Sequence, residues 1–110
     1  MIYEMHILDK YLELIKAGIK KNEYRLYNEE RRKIKIGDEI KLIANGDENN
    51  YIIVRVKNIF IYKDFNEAFK NRWENDFKDL YNNLDDLLND CNKFYSKEEI
   101  DKYGIVVFNI

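Results

Sequence analysis

The chain has 110 residues, of which 45% are hydrophobic, and its 19 Lys and Arg nearly balance its 21 Asp and Glu. This length fits one domain with its own core, which excludes a catalytic domain joined to a separate binding domain. The net charge of −2 excludes a histone-like protein that binds polyanions over its whole surface. We therefore expect a single domain over residues 1–110, in which any nucleic-acid site is local.

The single cysteine, Cys91, excludes an internal disulfide, and no group of Cys and His has the spacing of a zinc site. No apolar stretch approaches the roughly 18 residues that a membrane span needs, and the N-terminus lacks a signal-peptide pattern. These features predict a cytoplasmic protein with no metal, no cofactor and no membrane partner.

The N-terminal third predicts a strand, a helix and a second strand. An apolar-leaning segment over residues 2–7 precedes a helical stripe formed by Leu8, Tyr11, Leu12 and Ile15. Gly18 is expected to end that helix in the left-handed conformation. The period then becomes two, which places Tyr24 and Leu26 on the core face of a strand. The opposite, exposed face receives Glu23, Arg25 and Tyr27.

The middle of the chain predicts a turn at Gly37, a strand over residues 39–44, and a loop that contains Asn45 and Gly46. A long strand follows, and Asn58 interrupts its pattern, which indicates a bulge or kink.

The C-terminal half predicts three helices and a last strand. Asp64 with Glu67, and Ser96 with Glu99, have the spacing of capping boxes. A long helix between them has an apolar stripe of Phe77, Leu80, Tyr81, Leu84, Leu88 and Cys91. The apolar segment over residues 105–110 predicts a central strand. The predicted order is β-α-β-β-β-α-α-α-β.

Charge is uneven along the chain. Residues 16–35 contain eight basic and three acidic side chains, a net charge of +5, whereas residues 64–102 contain six basic and eleven acidic ones, a net charge of −5. The basic region includes a run of Arg31, Arg32, Lys33 and Lys35, which could follow a nucleic-acid backbone or lie in a solvated loop.

Glycine-rich phosphate loops, paired-His metal motifs and nucleophile elbows are all missing from the sequence. The remaining cluster is Gly18-Ile19-Lys20-Lys21-Asn22-Glu23-Tyr24-Arg25, with Ile36-Gly37-Asp38 eleven residues later. With the opening Met5-His6-Ile7-Leu8 and the closing KYGIVVFNI, it resembles the ASCH domains of the PUA-like superfamily. The resemblance implies an α+β fold, a PUA-like small curved β-barrel flanked by helices. It also implies a cleft lined by Lys20, Glu23 and Arg25.

These residue types suit a polar, partly anionic ligand such as RNA, a nucleotide or a modified nucleoside. Arg25 offers bidentate donors, Lys20 a mobile cation, and Glu23 an acceptor for exocyclic amino groups. Tyr27, on the same face, is the best candidate for stacking on a base. The structural alternative is an exposed Glu23–Arg25 pair that serves no ligand, worth at most about 1 kcal/mol.

The sequence favours a binding module over an enzyme. Similar amidohydrolases that act on acetylcytidine are thought to use a Thr nucleophile, and the matching position here is Glu23 in a chain without Thr. A hydrolase of the amidohydrolase or ribonuclease type, using Lys20, Glu23 and His6, is the alternative. The other interpretation of His6 is structural. A single His between apolar residues such as Met5 and Ile7 is usually partly buried and bonded to the backbone rather than catalytic. A protein-interaction module built on the acidic helices is a third possibility, and the oligomeric state, a monomer included, is left open.

Overall fold

The computed structural model describes residues 1–78, 83–91 and 93–110, which form a mixed α+β fold. The strands are β1 (Ile2–Ile7), β2 (Asn22–Leu26), β3 (Glu39–Ala44), β4 (Asp47–Arg55), β5 (Asn58–Tyr62) and β6 (Ile105–Asn109). The helices are α1 (Asp9–Lys16), α2 (Phe65–Arg72), α3 (Leu84–Cys91) and α4 (Lys97–Tyr103). A 3-10 turn covers Arg31–Lys33, and a π-helical turn over Trp73–Phe77 extends α2.

The six strands form two three-stranded sheets. In the first, the order is β1-β3-β4, with β1 parallel and β4 antiparallel to β3. Its register pairs Ile2 with Glu39 and Ile7 with Ala44. The second sheet has the order β2-β6-β5. The fold agrees with the predicted α+β class. The predicted small β-barrel differs, because the strands of the described residues form two separate sheets that do not close into a barrel.

The chain divides into two compact units. Unit 1 contains Met1–Glu23, Ile34–Ile59 and Phe108–Ile110, and unit 2 contains Tyr24–Lys33 and Phe60–Val107. The prediction that residues 1–110 form a single domain stays a prediction.

In unit 1, the end of α1 is a Schellman motif. Gly18 has φ +77°, its N–H donates to the Ile15 carbonyl at 3.0 Å, and the Ile19 N–H donates to the Leu14 carbonyl at 3.0 Å. The Lys20 N–H donates to the same Leu14 carbonyl at 3.1 Å. The predicted role of Gly18 is confirmed, because these bonds satisfy carbonyls that the end of a helix leaves open.

The core of unit 2 is rich in aromatic rings. The Phe69 ring centroid lies 5.0 Å from that of Phe77 and 5.1 Å from that of Phe65. Trp73 and Cys91 pack against this cluster, and Cys91 belongs to the predicted apolar stripe. Offset and edge-to-face ring pairs of this kind contribute about 1 kcal/mol each beyond burial of area. The buried members of the cluster are Leu26, Phe65, Ala68, Phe69, Phe77, Leu87, Ile100 and Ile105.

Both predicted helix starts are capped in unit 2. The Ser96 hydroxyl accepts from the Glu99 N–H and the Glu99 carboxylate accepts from the Ser96 N–H, which is a full capping box. At α2, Asp64 accepts from the Glu67 N–H at 2.8 Å, whereas the Glu67 carboxylate accepts from the Lys63 N–H, one residue before the cap.

Two predicted elements differ from the structure. The strand expected to run past Asn58 with a bulge ends at Arg55, and a separate strand of the other sheet begins at Asn58. Along the expected long helix, the described residues form the π-helical turn that contains Phe77 and the helix α3, which begins at Leu84. The two predicted stripe residues between them, Leu80 and Tyr81, lie outside the described residues.

Gly104, between α4 and β6, is predicted to tolerate no side chain. It has φ +75° and ψ −173°, a conformation that only glycine adopts readily, and an added Cβ would lie 2.9 Å from the Tyr62 carbonyl oxygen. We expect Gly104→Ala to lower the free energy of unfolding by about 3 kcal/mol, measured by urea denaturation.

Gly46→Ala is the matched control, because Gly46 has φ +80° but no atom within 4 Å of an added Cβ. It should lose only about 1 kcal/mol, the cost of the left-handed conformation. Equal losses in the two variants would contradict a steric constraint from the Tyr62 carbonyl.

Candidate functional site

Lys20 lies in unit 1, directly after the Schellman motif that fixes its backbone. Its Nζ donates to the main-chain carbonyl of Asn22, and it lies 5.8 Å from the centroid of the Tyr11 ring. The side chain is half-buried. The ammonium is therefore placed beside the start of β2, close in sequence to Glu23.

Glu23, also in unit 1, is buried, with only 6% of its surface exposed. The neighbouring Asn22 is buried as well, and its Oδ1 accepts from Asn109 Nδ2 at 3.1 Å. Since consecutive strand residues point to opposite faces, two buried neighbours mean that both faces of this part of β2 are covered. The prediction of Glu23 on an exposed face is thus wrong, and so is the alternative of a solvated Glu23–Arg25 pair.

Arg25 lies in unit 2 and is half-buried, like Tyr24 before it. Tyr24 faces the core of unit 2 as predicted, with its ring centroid 5.6 Å from that of Phe69 and 5.0 Å from that of Phe77. Its hydroxyl donates to the Asp76 carboxylate, which also accepts from Arg72 Nε at 3.0 Å. Burial raises the pKa of Tyr24 far above its ordinary value, and the bond to Asp76 raises it further.

Sequence reasoning missed Arg72 and Asp76. Their spacing of four residues is the signal that was present, because such residues are neighbours on a helix surface. Tyr24 could not be assigned to them from the sequence, since it lies 52 residues before Asp76.

Tyr27 and Arg32 contact each other within unit 2. The Arg32 Cζ lies 4.2 Å from the centroid of the Tyr27 ring. Its Nε donates to the Tyr27 carbonyl at 3.0 Å, and its Nη2 donates to the Tyr103 carbonyl at 3.1 Å. Arg32 is nevertheless exposed. The result is a guanidinium held in one orientation at the surface.

Arg31 is held to the main chain as well. Its Nη1 donates to the Leu26 carbonyl at 3.0 Å, and its N–H donates to Asn28 Oδ1 at 3.1 Å. The two arginines of the basic run therefore bond to the backbone around them, and Arg32 is exposed. The choice between a nucleic-acid contact and a solvated loop stays a prediction.

His6 lies in unit 1, on β1. Its Nε2 is 2.9 Å from Glu48 Oε1, and its side chain is 53% exposed. The prediction that the His6 side chain is partly buried is therefore wrong. Strand alternation explains the difference, because the adjacent Met5 and Ile7 are buried and His6 points the other way.

Within residues 1–78, 83–91 and 93–110, no three His, Cys, Asp or Glu side chains lie close enough together to hold a metal ion. Over the same ranges, none of the helices has the length and apolar composition of a membrane-spanning helix.

A model of the ASCH domain family matches residues 5–110. The chain belongs to the ASCH domain family. The match covers both units of this ASCH domain, and it confirms the family that the residues around Gly18 indicated.

Two solved structures are similar to this ASCH domain. The crystal structure of the hypothetical protein PH0355 is 37% identical with a TM-score of 0.85, over 99% of this chain and 96% of that one. The solution NMR structure of protein PF0455 from Pyrococcus furiosus is 35% identical with a TM-score of 0.75, over 99% of this chain and 94% of that one. No curated protein matches the chain.

The Tyr24–Asp76 contact predicts a loss of stability in alkali. An unfolded Tyr ionises near pH 10, but folded Tyr24 keeps its proton, so the stabilisation is complete below pH 10 and is lost as the pH rises. Tyr24→Phe should cost about 1–2 kcal/mol at neutral pH. Above pH 10, the difference in unfolding free energy from the unmodified protein should shrink by about 1.4 kcal/mol per pH unit.

Denaturant unfolding at several pH values measures this difference. Tyr51→Phe is the control, since Tyr51 is 45% exposed on β4 and loss of its hydroxyl should change the free energy of unfolding little. A constant difference for Tyr24→Phe between neutral pH and strong alkali would contradict a protonated, buried Tyr24.

Proposed function

We propose that this ASCH domain binds RNA or a nucleotide, with Arg32 and Tyr27 of unit 2 as the ordered contact. Arg25 of unit 2, and Lys20 and Glu23 of unit 1, are each proposed as a separate contact. The observation that carries the proposal is the exposed Arg32 guanidinium, which stacks on Tyr27 and is fixed by the carbonyls of Tyr27 and Tyr103. Modified nucleosides belong to the same proposed ligand class.

An ordered arginine favours binding for an entropic reason. A flexible Arg loses up to about 2 kcal/mol of side-chain freedom when a ligand orders it, and Arg32 is already ordered by the protein. Its planar group is also the side chain best matched to phosphate oxygens and base edges. Contacts between the ligand and Arg32 therefore contribute to affinity without a further loss of side-chain entropy.

Charge around this pair supports an anionic ligand. The segment Tyr24–Lys33 of unit 2 contains four basic side chains and two acidic ones. A local excess of positive charge attracts nucleic acid even when the whole protein is near neutral.

The residues of the ASCH motif contribute differently in this proposal. Lys20 and Arg25, both half-buried, supply cations on either side of Glu23 in the sequence. Glu23 is buried, so a ligand amino group that reaches it meets a carboxylate shielded from water, where a hydrogen bond is stronger. The proposal has three further parts. The domain has a PUA-like fold, the protein is cytoplasmic, and it binds its ligand without catalysing a reaction.

The first experiment follows amide NMR shifts of labelled protein on titration with short single-stranded RNA and a panel of nucleosides and nucleotides. Saturable shifts centred on residues 18–33 are the expected result. Product analysis of the same samples tests the hydrolase alternative. Shifts that spread evenly over the acidic residues 64–102, or no shifts with any compound, would overturn the proposal.

Arg32→Ala should weaken RNA binding and reduce its dependence on salt. Each lost phosphate contact lowers the slope of log K against log salt by about 0.7 to 1. Fluorescence anisotropy over a range of salt concentrations measures the slope. Lys70→Ala removes one exposed cation from α2 and is the matched control, so equal changes in the two variants would contradict a local contact at Arg32.

Tyr27 is expected to act through its ring rather than its hydroxyl. Tyr27→Phe keeps the surface on which Arg32 stacks and should leave the RNA affinity within error. Tyr27→Leu removes the cation–π contact and should weaken binding by about threefold, the equivalent of 0.5–1 kcal/mol. Identical affinities for the two variants would contradict the role of the ring.

A further inference from the structure

Two of the three nitrogens of the Arg32 guanidinium bond to the protein. Nε donates to the Tyr27 carbonyl and Nη2 donates to the Tyr103 carbonyl. A guanidinium has five N–H groups, and these bonds use two of them. In the described part of the chain, Nη1 donates to no protein atom and Nη2 has a second N–H. In a planar guanidinium, Nη1 and Nη2 each direct one N–H along their shared edge.

We infer that the group bound at this edge of Arg32 is a phosphate. The inference rests on the proposed function and narrows it, from any nucleoside-like ligand to one that carries a phosphate. Two parallel N–H donors match the two non-bridging oxygens of a phosphate, and this paired, charge-assisted contact is among the strongest hydrogen-bonding arrangements. An uncharged nucleoside has no such oxyanion.

The surroundings of Arg32 favour an anion over a neutral acceptor. Arg31 and Lys33 flank it in the 3-10 turn, so three consecutive cations lie in one short segment. One face of the Arg32 plane lies on the Tyr27 ring, which stabilises the cation without neutralising its charge. The Arg32 guanidinium therefore keeps its full positive charge and a fixed direction.

A terminal phosphate and an internal phosphodiester share the chemistry of this contact, so the experiment compares both. Calorimetry with adenosine, adenosine 5′-monophosphate and a short RNA without terminal phosphates separates them. The monophosphate should bind at least about tenfold more tightly than adenosine, as one charge-assisted bidentate contact implies. Binding of the RNA alone would assign the site to phosphodiesters.

Arg32→Lys tests the paired geometry, because Lys keeps the charge but offers a single point donor. It should remove most of the advantage of the monophosphate over adenosine. Lys70→Arg, an exchange of exposed cations on α2, should change neither affinity. Unfolding midpoints of both variants establish that they fold.

A second measurement does not depend on any variant. Addition of inorganic phosphate to the unmodified protein should shift the guanidinium NMR resonances of Arg32 in a saturable way and leave those of Arg55 unchanged.

The outcomes separate this inference from the proposed function. Equal binding of adenosine and its monophosphate, or an unchanged preference in Arg32→Lys, would overturn the phosphate assignment and leave nucleoside binding in place. If guanosine binds tightly and Arg32→Lys abolishes that binding, the free N–H groups of Arg32 would be assigned to the edge of a base instead of to a phosphate. Failure of RNA, nucleosides and nucleotides alike to bind would overturn both.

Discussion

The hydrogen bond from the Tyr27 N–H to the Gly104 carbonyl, 2.9 Å long, is the contact on which the candidate site in unit 2 depends. It joins the residue after β2 to the residue after α4, two segments far apart in the sequence. The carbonyls that hold Arg32 belong to Tyr27 and to the residue before Gly104, so their separation is set by this bond. Any change that shifts Gly104 therefore also shifts the guanidinium.

The backbone at Gly104 explains why these segments can meet. The α4 helix ends with the Gly104 N–H donating to the Ile100 carbonyl at 2.8 Å, and the positive φ then turns the chain into β6. The same residue lies against the Tyr62 carbonyl, where a side chain has no room. Stability of the fold and the geometry of the proposed phosphate contact thus depend on one glycine. The Tyr24–Asp76–Arg72 cluster adds a second constraint on β2, because it ties this strand to the helical segment after α2.

Local elements were predictable wherever the cause is local. The helix end at Gly18, the caps at Asp64 and Ser96, and the inward direction of Tyr24 each follow from residues a few positions apart. The burial of Glu23 was not predictable, since strand alternation assigns a face but does not tell whether that face is covered. The sequence shows the break near Asn58 as an interruption of the strand alternation. Its result is that the chain leaves one sheet at Arg55 and enters the other at Asn58, which depends on partner strands from distant segments.

The site shows the same division. Arg31 and Arg32 were found as a basic run, and Tyr27 as a ring on the strand beside it, because composition and period are local properties. Their joint arrangement is not local, since one of the two carbonyls that orient Arg32 comes from Tyr103, 71 residues later. A basic run in a loop and a pair of arginines fixed by main-chain carbonyls have the same sequence, but they differ in the entropy that a ligand must overcome. That difference, rather than the number of charges, separates a solvated surface from a surface prepared to bind an oxyanion.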